Sequence, residues 1–159
     1  MIGAKTTAPS RERFAHKILF SYQDNKDEVQ KFLTKAYRYN YKTSDEPSVM
    51  STFKSDPTAR GAMLLLDPPE HIRNAVLMVE TVEAAWQEVK ELDCGEPFGY
   101  SYLMEKNFCL TGKQRSRDQN AMMRHKICAD CGIAERTFYS WMWQITEIVI
   151  YHATKRGLM

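Results

Sequence analysis

A chain of 159 residues and 18.5 kDa is long enough to close a hydrophobic core without disulfides or metal. Hydrophobic residues at 43% and charged residues at 26% exclude wholesale disorder, and no run of about eighteen apolar residues offers a membrane span. Net charge is +2, yet residues 99–159 carry nine Lys+Arg against five Asp+Glu, so a polyanion, where one binds, is expected on that basic end. The N-terminal stretch MIGAKTTAPSRERF lacks the apolar segment of a signal peptide, which predicts a cytoplasmic protein. The seven glycines form no phosphate-cradling loop.

The periodicities predict helices throughout. Ser10 is placed to cap a first helix that buries Phe14, Ile18 and Tyr22. A second helix starts near Asp24, presents Val29, Phe32, Leu33, Ala36 and Tyr37, and ends before Asn40. Thr43 to Pro57 reads as a connector. Asp67-Pro68-Pro69-Glu70 then matches an N-cap, prolines in a first turn and a capping-box carboxylate. Behind it Ile72, Val76, Val79, Val82, Trp86 and Val89 recur every three or four residues to about Leu92. The run Asp93-Cys94-Gly95-Glu96-Pro97 breaks the chain.

Tyr100, Leu103, Phe108 and Leu110 predict a short helix, and Thr111 to Asp118 a basic loop. Ala121 to Cys131 reads as a helix ended by Gly132 in the left-handed conformation. From Glu135 a long helix runs toward Thr154 with Phe138, Trp141, Ile145, Ile148 and His152 on one face, and Lys155-Arg156-Gly157 closes it. The fold expected is all-α: a helical N-terminal domain over residues 1–97, then a helix–turn–helix domain over 98–159 with a long final helix.

Residues 124–141, RHKICADCGIAERTFYSW, carry the main functional pattern. A DNA-reading helix–turn–helix needs a small residue where its helices cross, a tight turn and a recognition helix. Cys128 supplies the small position, Gly132 the turn and Ile133 its plug, while Phe138 and Trp141 anchor the second helix. Arg136, Thr137, Tyr139 and Ser140 then stand where base edges and phosphates lie in a major groove. The helix N-terminus adds an attraction for phosphate. Lys113, Arg115, Arg117, Arg124 and Lys126 are the expected phosphate contacts.

The segment Gly132-Ile133-x-x-Arg136-Thr137-Phe138-Tyr139-x-Trp141 resembles the sigma-factor region-four type of helix–turn–helix. A small protein with this unit at its C-terminal end resembles the ArpU/RinA group of phage late-transcription regulators. The resemblance covers about Ala121–Arg156. It implies activation of late or packaging genes at a specific promoter, with double-stranded DNA and host RNA polymerase as partners. Ala134 departs from the pattern. It stands where Ser or Thr usually caps the recognition helix, a loss of about 1 kcal/mol. The loop 111–118 is also long and unusually basic for the group.

Other residues receive plainer readings. His125-x-x-Cys128-x-x-Cys131 carries zinc-ligand spacing, with Cys94 and Cys109 as remote completions. The pair falls inside a helix, so buried free thiols are expected and no metal. The four histidines flank no nucleophile pattern, no cofactor is implied, and an enzyme is not expected. Glu80, Glu83, Glu88 and Glu91 read as a solvated helix face. Tyr37, Tyr39 and Tyr41 alternate near Lys35, Arg38 and Lys42. That pattern suits either nucleic-acid stacking or, preferred here, a helix end packing its rings. Trp143, Ile150 and Tyr139 lie beyond what the helix–turn–helix can bury, and must meet the N-terminal helices or a second copy. A small terminase-like DNA-packaging subunit, which also carries a helix–turn–helix, and a protein-interaction or inhibitor module that uses the unit as scaffold stand as alternatives to the regulator.

Overall fold

The computed structural model describes residues 8–41 and 57–159, with side chains over 10–38 and 62–159. The expected connector Thr43–Pro57 lies, apart from the backbone of Pro57, outside the described residues. So do the side chains of Tyr39, Tyr41 and Lys42.

Seven helices make up the described chain: α1 (Ala8–Phe20), α2 (Tyr22–Tyr41), α3 (Pro57–Leu66), α4 (Glu70–Leu92), α5 (Tyr100–Asn107), α6 (Arg117–Cys131) and α7 (Glu135–Lys155). The fold is all-α, as the periodicities require. At its centre α1, α4 and α7 pack on one another. Their contact faces carry the small residues Ala15, Ala85 and Ala153 among Ile18, Leu19, Val82, Val89, Ile145 and Val149, all fully buried. Small residues let helix axes approach, and the branched residues fill the grooves beside them. α5 and α6 close one end through Leu103, Met104, Phe108, Leu110 and Ile127. α2 lies along α4, with α3 against it. One buried cluster draws on α1, α2, α4, α5, α6 and α7, so the core runs across the boundary expected at residues 97/98.

Several ends differ from the sequence reading for local reasons. α1 begins at Ala8, which puts Ser10 inside the helix rather than at its cap. Tyr22 opens α2 instead of closing α1, though it is buried as expected. Asp67 does not cap α4. The cap position is Pro69, without a side-chain bond, and the helix starts at Glu70. Two consecutive prolines bias the residues before them to extended backbone, which delays the helix. Asp67 pairs instead with Arg73 at 3.3 Å. The basic loop is shorter than expected, because Ser116 caps α6. Its hydroxyl accepts from the Gln119 N–H at 3.3 Å, and the Gln119 side chain accepts from the Ser116 N–H at 2.9 Å. That is a capping box, and it takes Arg117 and Asp118 into the helix.

α4 and α5 are joined by a buried carboxylate. Asp93 accepts the Tyr100 N–H at 2.7 Å and the Ser101 N–H at 2.8 Å, satisfying the first donors of α5 where Gly99 has no side chain to do so. The glutamates expected to be solvated are partly engaged: Glu83 accepts from the Tyr22 hydroxyl at 3.1 Å, and Glu88 meets His152 Nε2 at 2.6 Å. Tyr37 is 55% exposed, so its ring is not packed at the end of α2.

Candidate nucleic-acid interface

The turn between α6 and α7 is set by its glycine. Gly132 adopts φ 64°, ψ 34°. The Ile133 N–H bonds the Cys128 carbonyl at 3.0 Å, and the Gly132 N–H bonds the Ala129 carbonyl at 3.3 Å. This is the Schellman closure of α6, and a side chain at 132 would be strained in that conformation. Ile133 folds back on the core as the plug, and two residues later α7 begins.

α7 buries Phe138, Ile145, Thr146, Val149, Ile150 and Ala153. Trp141 is half-buried and stacks on Tyr100, with centroids 4.5 Å apart. Ile150 is buried within the chain as part of the common core cluster, so it needs no second copy to cover it. Trp143 is 58% exposed and Tyr139 51%. Arg136 and Ser140 are exposed and Thr137 is half-buried in the first turns of α7. Ala134 offers no side-chain cap, so the helix starts without one, as its sequence requires.

The five basic residues expected on phosphates do not share a face. Arg117 and Arg124 stand two turns apart on one side of α6 and line a cleft with Tyr139. Lys126 lies about 200° round the helix from Arg124 and is exposed on the opposite side. Lys113, on the loop, lines a hollow with Asp24 and Asp27. Arg115 turns inward. Its guanidinium donates to the Lys106 carbonyl and, at 3.4 Å, to the Asn107 carbonyl. It closes the C-terminal end of α5, where cations are favoured, and it leaves the phosphate set.

Arg124 is itself engaged. Its Nη1 donates to the Tyr139 hydroxyl at 2.8 Å, and its Nε stands 3.4 Å from Glu135 Oε1, a charge contact without hydrogen-bond alignment. Glu135 thus offsets part of the charge of Arg124, while Arg124 fixes the ring of Tyr139.

Cys128 and Cys131 pack on the core from its edge as free thiols. Burial pushes both thiols up, with Glu135 adding to the effect at Cys128 and Asp130 at Cys131. Raised thiols are poor nucleophiles. No group of three His, Cys, Asp or Glu side chains suited to a metal ion occurs among the described residues. No described helix is long and apolar enough to cross a membrane.

Comparison with known protein families, with curated proteins and with solved structures finds no match for this chain.

Proposed function

We propose that the protein is a sequence-specific DNA-binding regulator that reads a major groove with the start of α7. The observation that carries this reading is the α6–Gly132–α7 turn, which ends in exposed Arg136 and Ser140 beside the fixed ring of Tyr139. A tight turn with an exposed polar start to its second helix is what major-groove docking needs. The uncapped start of α7 suits a phosphate, since its first N–H groups lack a side-chain acceptor. Arg136, Thr137, Tyr139 and Ser140 are assigned to bases and adjoining phosphates, and Arg117 and Arg124 to the backbone. Lys113, Arg115 and Lys126 have no part on this face. The resemblance of residues 121–156 to phage late-transcription regulators makes transcription control beside host RNA polymerase the setting. Selection of bound duplexes from a genomic fragment library tests the reading. Enrichment of one motif, lost in Arg136→Ala, supports it, and binding at low salt with no enriched motif removes the sequence-specific part.

One observation favours a second reading, in which α7 is a contact between two copies. Arg136, Ser140, Trp143 and Glu147 are all exposed and fall on one narrow strip of α7 at spacings of four, three and four. An antiparallel pair of such strips places Arg136 opposite the partner's Glu147 and Trp143 opposite the partner's Ser140. Mass measurement in solution separates the readings, because residues held between two copies cannot also read bases.

A further inference from the structure

The cleft between α1, the end of α5, α6 and α7 has a volume of about 470 Å³, inside the range that small-molecule sites occupy. Phe20 and Phe108 meet edge-on on one wall, centroids 5.0 Å apart, and Phe138 and Tyr139 on another at 5.4 Å. Arg117 and Arg124 stand on the α6 wall with Asn120 between them. Among the described residues no Asp or Glu lines the space. The Nε of Arg124 is shut off from solvent and stands 3.4 Å from Glu135 Oε1, so Arg117, exposed at the start of α6, is the cation of this wall with more charge to offer.

Each feature selects for something different. Aromatic walls bury a flat ring by edge and face contacts. Guanidinium groups match the oxygens of a phosphate or carboxylate in a two-pronged way that an ammonium cannot. A side-chain amide offers both a donor and an acceptor to the polar edge of a ring. A bare inorganic anion would leave the exposed rings of Phe20 and Tyr139 wet, and a neutral aromatic would leave Arg117 without a counter-charge.

We propose that this cleft binds a small aromatic anion, a planar ring carrying one phosphate or carboxylate group. Binding concerns the protein alone, so it stands whether or not the helix–turn–helix reads DNA. Arg117, Arg124 and Tyr139 belong to both surfaces, and an occupied cleft would engage groups assigned to the DNA face.

Calorimetric titration of the full chain tests this with adenosine monophosphate, phenyl phosphate and indole-3-carboxylate, against adenosine and inorganic phosphate. At least one aromatic anion should bind saturably, with its neutral counterpart and inorganic phosphate at least about tenfold weaker. The phosphate and carboxylate probes show which head group the arginines prefer. Arg117→Gln, at the exposed start of α6, should weaken binding at least about tenfold at an unchanged melting temperature, and Phe20→Ala should weaken it too. Lys126→Gln, on the far side of α6, should bind as wild type. The proposal fails if none of the three anions saturates below about 5 mM, or if Arg117→Gln binds them unchanged. It fails equally if inorganic phosphate binds as tightly as they do, since the rings would then contribute nothing.

Discussion

The guanidinium of Arg124 donates to the hydroxyl of Tyr139 at 2.8 Å and stands 5.8 Å from the centre of its ring. One side chain of α6 thereby fixes one side chain of α7 at the start of the proposed recognition helix. On the proposed DNA reading, a ring fixed in advance reduces the ordering cost of binding.

The first prediction follows from where the cations stand. Arg117→Gln and Arg124→Gln should each weaken binding to all duplexes alike and flatten the log–log salt slope by about one unit. Lys113→Gln and Lys126→Gln, off that face, should leave the slope alone. Fluorescence anisotropy across a salt series measures it. Equal effects from all four substitutions would mean that the cations act as a diffuse field rather than through one face.

The second prediction concerns the joint between α4 and α5. Asp93 is 7% exposed, and a Cβ on Gly99 would stand 2.3 Å from its Oδ1. Asp93→Ala removes two charge-assisted hydrogen bonds and strands two backbone donors, a loss of about 2–4 kcal/mol. Gly99→Ala displaces a carboxylate that is already held, at about 1–3 kcal/mol. Because both act through the same contact, the double variant should lose clearly less than the sum of the singles. Urea unfolding of the three variants gives the cycle, and strict additivity would show that the two residues are not coupled.

Much of this architecture is visible in the chain. The three-and-four spacing from Ile72 to Val89 places α4, and Gly132 before an apolar-faced run places the turn into α7. Ser116-x-x-Gln119 carries a capping-box pattern at the start of α6, which reading 111–118 as a loop passes over. Asp67 carries the same kind of pattern, but the prolines after it overrule it. α3 is short and lacks a polar stripe between its last apolar residues, so periodicity does not define it. The direction of a long flexible side chain is also absent from sequence: Arg115 and Arg117 are near neighbours, yet one closes α5 and the other faces the cleft. The cleft draws on residues from His16 to Met142, and only the packing of α1 against α7 brings them together.

A third prediction is a pH dependence with a definite sign. Burial lowers the imidazole of His16 below its ordinary 6.5, with Glu12 opposing. Its Nε2 lies 3.2 Å from Thr146 Oγ1, whose own proton goes to the Met142 carbonyl at 2.8 Å, so His16 donates. The unfolded chain takes up the proton near 6.5 and the folded chain only at lower pH. Between these values the unfolded state holds more protons, so stability climbs as pH rises through the window and levels off above 6.5. His16→Gln cannot titrate. Urea unfolding from about pH 5 to 8 should therefore show the wild type gaining on the variant up to 6.5 and no further. A constant difference across the whole range would remove His16 as the source.

The last prediction separates reading from pairing along α7. Trp141 is half-buried and stacked on Tyr100, so Trp141→Ala should cost about 2–4 kcal/mol of stability, below the loss for a fully buried ring. Arg136 is exposed, and Arg136→Ala should leave the melting temperature nearly unchanged. In the DNA reading it should cost about 1–3 kcal/mol of discrimination at one base pair of the selected site. Arg136→Glu should abolish specific binding there, and adding Glu147→Arg should not restore it, because Glu147 lies three turns along the helix from the groove-facing start. In the pairing reading the same two variants behave differently. Arg136→Glu sets like charges opposite each other at both ends of a two-fold strip and splits the pair, while Arg136→Glu with Glu147→Arg exchanges the partners and restores it. Sedimentation of both variants, run beside specific-site binding, decides between the two. Rescue of the dimer by the exchanged charges assigns the strip to a second copy, and loss of base discrimination without any change in mass assigns it to DNA.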